Sequence, residues 1–120
     1  MRIISGKFKG KKILQPKDKN TRPLKDLTKE SIFNIIAHSK KLNINLENSN
    51  ILDLFSGVGS FGIECISRGA KKVTFVENYL DVLPILQKNL DNLKSEISYE
   101  IIKDDIYQNF KIENLKDKFD

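Results

Sequence analysis

Ile51-Leu52-Asp53-Leu54-Phe55-Ser56-Gly57-Val58-Gly59-Ser60-Phe61-Gly62 is the stretch from which the fold can be read. Its first five residues are a short apolar run bounded by turn formers, which predicts a buried strand over 51–55. Residues 56–60 read as a tight loop. A helix is expected over 61–68, closed by Gly69 just past its end. Gly57, Gly59 and Gly62 therefore spell G-x-G-x-x-G between a strand and a helix. The first glycine permits the turn, the second lets backbone approach a ligand, and the third lets helix and strand pack closely. Many nucleotide-binding folds share that pattern, so it names none of them.

The chain on either side extends the pattern. Val73-Thr74-Phe75-Val76-Glu77 predicts a second strand. Leu83, Leu86, Leu90 and Leu93 recur at helical spacing, with Pro84 expected in the first turn. A third strand is expected over 98–102, a short helix within 104–116, and residues 117–120 read as the approach to a fourth strand. Strand, helix, strand, helix, strand is the order of a parallel α/β sheet. Upstream, a helix is expected over 26–38 with Ile32, Ile35 and Ile36 as its buried stripe. Residues 2–4 and 12–14 are spaced to pair as a small hairpin, and residues 40–50 form a polar connection.

Asp53 separates two cofactor classes. A buried carboxylate must be paired or hydrogen-bonded. Beside a pyrophosphate it adds repulsion, whereas beside a cationic ammonium it adds attraction. The stretch thus points away from a nicotinamide dinucleotide and toward S-adenosylmethionine, which carries an ammonium and a sulfonium. The plainer reading has Asp53 accepting loop N–H groups only. Glu77, at the end of the second strand, stands where a carboxylate accepts ribose hydroxyls, or where it simply starts a helix. Ser56 and Asn78 border the same loops and are expected to join the cofactor-binding residues. Asp105, after the third strand, is placed to accept from an adenine amino group, with the Ile106 N–H beside it; Asp104 is an adjacent rival. Cys65 reads as a core residue and His38 as a helix-end residue.

The 120 residues suffice for one small domain, and their net charge of +5 is divided unevenly. Residues 1–29 carry a net +8 and the remainder −3. Arg2, Lys7, Lys9, Lys11, Lys12 and Arg22 make the first 25 residues a basic arm suited to nucleic-acid phosphates. A solvated lysine-rich end is the alternative. Residues 26–120 form the expected cofactor-binding domain. No apolar run approaches the ~18 residues of a membrane span, and the N-terminus has no secretory core. One cysteine and one histidine exclude a disulfide framework and a His/Cys metal cage. A cytoplasmic protein without membrane or metal is the resulting expectation.

Several segments in order resemble the RsmD-type methyltransferases. Met1-Arg2-Ile3-Ile4-Ser5-Gly6 with Lys9-Gly10 is similar to that family's opening. Thr21-Arg22-Pro23 and Lys29-Glu30-Ser31-Ile32-Phe33-Asn34-Ile35-Ile36 are similar to its next conserved block. Asp53-Leu54-Phe55-Ser56-Gly57, Gly62-Ile63-Glu64 and Ser67-Arg68-Gly69-Ala70 are similar to its cofactor loop and helix. The resemblance implies a Rossmann-like class I methyltransferase sheet, methylating the exocyclic N2 of a guanine in small-subunit ribosomal RNA. It implies S-adenosylmethionine at Asp53, Phe55, Gly57, Gly59, Glu77 and Asp105, and Arg22 near the site's mouth. Leu24 replaces a usual threonine. The family's Asn/Asp-Pro-Pro-aromatic segment after the fourth strand is missing, since prolines stand only at 16, 23 and 84. The chain is accordingly expected to hold the cofactor half alone: three strands of an incomplete sheet, stopping before strand 4. It is expected to be inactive by itself and open to completion by a second chain. A non-catalytic RNA-binding module, an adenine-N6 DNA methyltransferase fragment and a dehydrogenase fragment are the competing readings.

Overall fold

The computed structural model describes residues 1–16, 26–93, 96–103 and 119–120. In chain order the elements are α1 (Asp26–His38), β1 (Asn50–Asp53), α2 (Ser60–Ser67), β2 (Lys72–Val76), α3 (Leu83–Asp91) and β3 (Tyr99–Ile102). The strands form one parallel sheet in the order β1-β2-β3. Asp53 pairs in register with Phe75, and Phe75 with Ile101. Parallel neighbours need crossovers, and α2 and α3 supply them. The result is the parallel α/β sheet expected from the order of strands and helices, incomplete and Rossmann-like as the resemblance implied.

Each element follows from local chemistry. β2 is buried at Val73, Thr74, Phe75 and Val76, as a strand covered on both faces must be. Pro84 sits in the first turn of α3, where its missing N–H has no helical partner to lose. Leu83, Leu86, Leu90 and Leu93 are all buried. Gly69 adopts φ +106° after α2 and ends it.

Two expectations are corrected. β1 starts at Asn50 and stops at Asp53, because Leu54 and Phe55 turn out of the ladder; Phe55 is 65% exposed. In α1 the buried positions are Lys29 and Phe33, while Ile35 is 58% exposed and Ile32 and Ile36 are half-buried. Phe33 won because its ring stacks on Phe61 of α2, centroid to centroid 5.0 Å. The helix expected within 104–116 lies outside the described residues, as do Arg22, Asp105 and Ile106.

Residues 1–16 pack on the body. Arg2 and Lys12 form an antiparallel bridge, supported by Ile3 N–H to Lys11 O at 2.9 Å and Ile13 N–H to Met1 O at 3.0 Å. Ile3, Phe8 and Ile13 are buried in the main core. Each such burial contributes about 1.5–3 kcal/mol, which holds the hairpin against α2 and α3. Beyond β1, the Asp120 N–H donates to Asn50 O at 2.7 Å. Ser49 O accepts from Lys71 at 2.7 Å on the β2 side. Successive peptide groups of a strand point to opposite sides, so Asp120 lies on the flank of β1 away from β2.

Candidate functional site

The C-terminal ends of β1 and β2 lie side by side, joined by Ser56 N–H to Val76 O at 3.3 Å and Gly57 N–H to Glu77 Oε1 at 2.8 Å, at the end of the sheet where parallel α/β folds take ligands. Gly57 and Gly59 shape the loop there with φ of +54° and +92°. The Gly59 N–H closes the loop on Ser56 O at 2.8 Å, and Gly59 O accepts from Ile63 to start α2. A side chain at Gly59 would meet Leu86 Cδ1 at 2.6 Å, and one at Gly62 would meet the Phe75 ring at 2.3 Å. Gly57 faces open space, and a methyl group there would have nothing within 4 Å. Gly57 thus leaves room for a ligand, while Gly59 and Gly62 serve packing.

Asp53 accepts N–H bonds from Phe55 and Gly62. Its Oδ2 is sealed from solvent and has no hydrogen-bond partner among the described residues. Burial pushes the carboxyl up to about 6, against the pull of those two N–H groups and with a further push from Glu77. A buried acceptor without a donor is costly, and a cationic N–H group is the partner that would satisfy it. This fits the ammonium of S-adenosylmethionine, and it does not fit a pyrophosphate.

Glu77 follows β2. Its Oε1 accepts the Gly57 N–H at 2.8 Å, and Oε2 accepts from Asn78 at 3.1 Å and Tyr79 at 3.2 Å. The carboxylate therefore ties the glycine loop to the second strand end. With about four acceptor positions in all, little capacity remains for two ribose hydroxyls unless a loop bond is exchanged. Ser56 is buried, and its Oγ donates to Val76 O at 3.3 Å, so its hydroxyl is already engaged. Asn78 is exposed. Phe55 and Leu80 are the exposed apolar residues at these strand ends, 65% and 78% accessible. A separate cleft of about 310 Å³ lies between Leu80, Leu83 and Ile101 on the β3 side.

Arg2, Lys7, Lys9, Lys11 and Lys12 are all exposed on the hairpin. The Lys7 and Lys11 ammoniums lie 5.5 and 5.7 Å from the Phe8 ring centroid, and Lys11 Nζ also donates to Asn92 O at 3.2 Å. The structure thus presents five cations on one short segment. Cys65 is buried in the core, and burial followed by the nearby Asp53 and Glu64 charges pushes its thiol up to about 12. It is no nucleophile.

Sequence reasoning assigned no role to two buried polar groups. Glu64 and Lys29 are fully buried and 3.3 Å apart. Glu64 also accepts from Ile4 N–H at 2.9 Å, Ser5 N–H at 3.0 Å and Arg68 Nε at 2.8 Å. Arg68 in turn lies 4.4 Å over the Phe33 ring. Asn89 Oδ1 accepts Leu14 N–H at 2.8 Å, and its Nδ2 donates to Val58 O at 2.9 Å. A signal existed for Glu64, which stands between Ile63 and Cys65 with Arg68 one turn later; a charge in an apolar helix needs a partner. Among the described residues no cluster suited to a metal ion occurs, and no helix is long and apolar enough to cross a membrane.

The chain is similar in sequence and fold to known proteins. Residues 1–120 match the family described as conserved hypothetical protein 95. The chain is 40% identical over 94 residues to the Haemophilus influenzae ribosomal RNA small subunit methyltransferase D, covering 78% of this chain and 46% of that one. Against the Escherichia coli protein of the same name it is 35% identical over 95 residues, 79% and 45% of the two chains. A solved structure of yhhF, a candidate methyltransferase from Escherichia coli, superposes with a TM-score of 0.71 at 30% identity, over 88% and 52% of the chains. A hypothetical protein from Thermus thermophilus superposes at 0.72 with 20% identity, over 89% and 57%, a likeness of fold alone. The chain spans about half the length of the curated relatives it matches. Matched over its whole length by that family's model, the chain belongs to the RsmD family, conserved hypothetical protein 95.

Proposed function

We propose that this chain is the cofactor-binding part of an S-adenosylmethionine-dependent methyltransferase of ribosomal RNA. The observation that carries the reading is the buried, partnerless Oδ2 of Asp53 beside the glycine loop. Asp53 would hold the ammonium. Gly57 would let the backbone approach the cofactor, Gly59 would keep the loop packed on Leu86 behind it, and Phe55 would stand beside the site. Glu77 and Asn78 would border the ribose, and Asp105 and Ile106 the adenine. Bound there, S-adenosylmethionine supplies an electrophilic methyl group. What this chain contributes is orientation, since holding the reactants in place is itself a large part of such catalysis. Arg2, Lys7, Lys9, Lys11, Lys12 and Arg22 would bind RNA phosphates.

The target we propose is the N2 of a guanine in small-subunit ribosomal RNA, in the cytoplasm. The names of the relatives favour RNA over DNA adenine. Residues 1–120 contain no Pro-Pro pair, so methyl transfer needs a segment outside them. Titration calorimetry with S-adenosylmethionine tests the reading. Binding that is lost in Asp53→Ala is expected, and an affinity indifferent to Asp53→Ala would overturn the cofactor role. A chain that binds RNA and no S-adenosylmethionine would instead be a non-catalytic RNA-binding module.

A further inference from the structure

Lys29 and Asn89 come from different helices, α1 and α3, yet they do the same thing. The Lys29 ammonium donates to Arg2 O at 2.9 Å and to Ser60 Oγ at 3.1 Å. Asn89 bonds Leu14 through both backbone groups, at 2.8 and 3.2 Å, and Val58 O at 2.9 Å. Arg2 lies on the first limb of the basic hairpin, and Leu14 follows the second. Val58 and Ser60 are the two neighbours of Gly59. Each limb of the hairpin is therefore wired, through one buried polar side chain, to one side of the central loop glycine.

These contacts are specific. Lys29 donates to Arg2 O and Ser60 Oγ and forms an ion pair with Glu64 Oε1 at 3.3 Å. Asn89 is 3% exposed, and its amide has both acceptor and donors engaged. Neither side chain can lose one partner without leaving a buried polar group unpaired.

We propose that Lys29 and Asn89 are positioning residues that set the glycine loop from the basic hairpin, so that the seating of the hairpin and the affinity for the cofactor are coupled. The coupling is reciprocal by linkage: a ligand that fixes the loop also tightens the hairpin. This rests on the cofactor reading above, which the experiment separates from it.

The full chain is compared with Asn89→Ala, Lys29→Met, Ser67→Ala and Leu90→Ala. Ser67 Oγ holds the hairpin at the far end of α2, accepting from Phe8 N–H at 2.9 Å and donating to Ser5 O at 2.6 Å. Leu90 is a buried packing residue of α3. S-adenosylmethionine affinity, thermal unfolding and the Gly57 and Gly59 amide resonances of the unliganded protein are measured. Asn89→Ala and Lys29→Met are each expected to weaken binding about tenfold, the value of a buried hydrogen bond. Ser67→Ala, which touches no loop atom, is expected to move the Gly57 and Gly59 resonances; it carries the test if Asn89→Ala does not fold. Leu90→Ala is expected to lower the melting temperature and leave affinity and both resonances alone. Unmoved glycine resonances in Ser67→Ala, or a Leu90→Ala affinity loss equal to that of Asn89→Ala, would overturn the proposal. If the unaltered chain binds no S-adenosylmethionine, the cofactor reading fails, and the resonances of Ser67→Ala still decide the coupling.

Discussion

Asp53 uses its two carboxylate oxygens unequally. The carboxylate takes N–H bonds from Phe55 and Gly62, yet Oδ2 is enclosed without a donor. Burial holds its proton on up to about 6, compared with 3.8 in an unfolded chain. Between those values the folded state binds more protons than the unfolded one. Stability contributed by Asp53 is thus full below pH 3.8 and declines as pH rises through about 6. Asp53→Asn should raise the melting temperature at neutral pH by a few degrees and flatten its pH dependence in that window, while S-adenosylmethionine affinity falls. Parallel thermal scans and titrations check the two opposite signs. The glycines divide in the same way. Gly62→Ala forces a methyl to 2.3 Å from the buried Phe75 ring and should cost about 1–3 kcal/mol in urea unfolding. Gly57→Ala meets no atom, and its left-handed φ should cost about 1–2 kcal/mol.

Among the elements, α2 connects the rest. Its Glu64 receives Lys29 from α1, two N–H groups from the hairpin, and Arg68 from its own next turn. Burial by itself would raise the Glu64 pKa. The Ile4 N–H, Arg68, Ser5 N–H and Lys29 outweigh it and hold the carboxyl below its usual 4.5. The sign is opposite to that of Asp53: this stability is present above pH 4.5 and is lost as pH falls through the lowered value. Glu64→Gln leaves Lys29 buried without its counter-charge and should cost about 3–5 kcal/mol. Acid titration of the unaltered chain, followed by circular dichroism, should show the hairpin loosening that the variant already has at neutral pH. The same network explains α1. Three isoleucines at helical spacing predicted its buried stripe, but the neighbouring helix offered Phe61 to Phe33 and a carboxylate to Lys29. Those partners rotated the buried face onto 29 and 33.

At the scale of the whole molecule, the charged hairpin and the glycine loop belong to one packed body. The hairpin lysines are exposed, while Ile3, Phe8 and Ile13 beneath them are core. Replacing Lys7, Lys9, Lys11 and Lys12 with Gln should therefore spare the fold. It should also flatten the salt dependence of RNA binding, by about 0.7 in log–log slope for each phosphate no longer neutralised. Fluorescence anisotropy with a single-stranded RNA across a salt series checks this, and an unchanged slope would remove the hairpin from the RNA surface. On the other flank, the bond from Asp120 to Asn50 gives β1 a neighbour opposite β2.

The sequence by itself determined the parallel strands and their helices, the glycine loop, the leucine face of α3 and the basic character of the first residues. Those are local facts. Periodicity, turn residues and charge act over a few neighbours and leave their mark in order along the chain. The tertiary structure alone decided which face of α1 is buried, that the basic segment is seated on the core, and that Glu77 holds Gly57. It also decided that Lys29 and Asn89 join hairpin to loop. These depend on partners 20 to 75 residues away. A buried hydrogen bond is a relation between distant groups, and neither residue type nor spacing records which distant group will arrive.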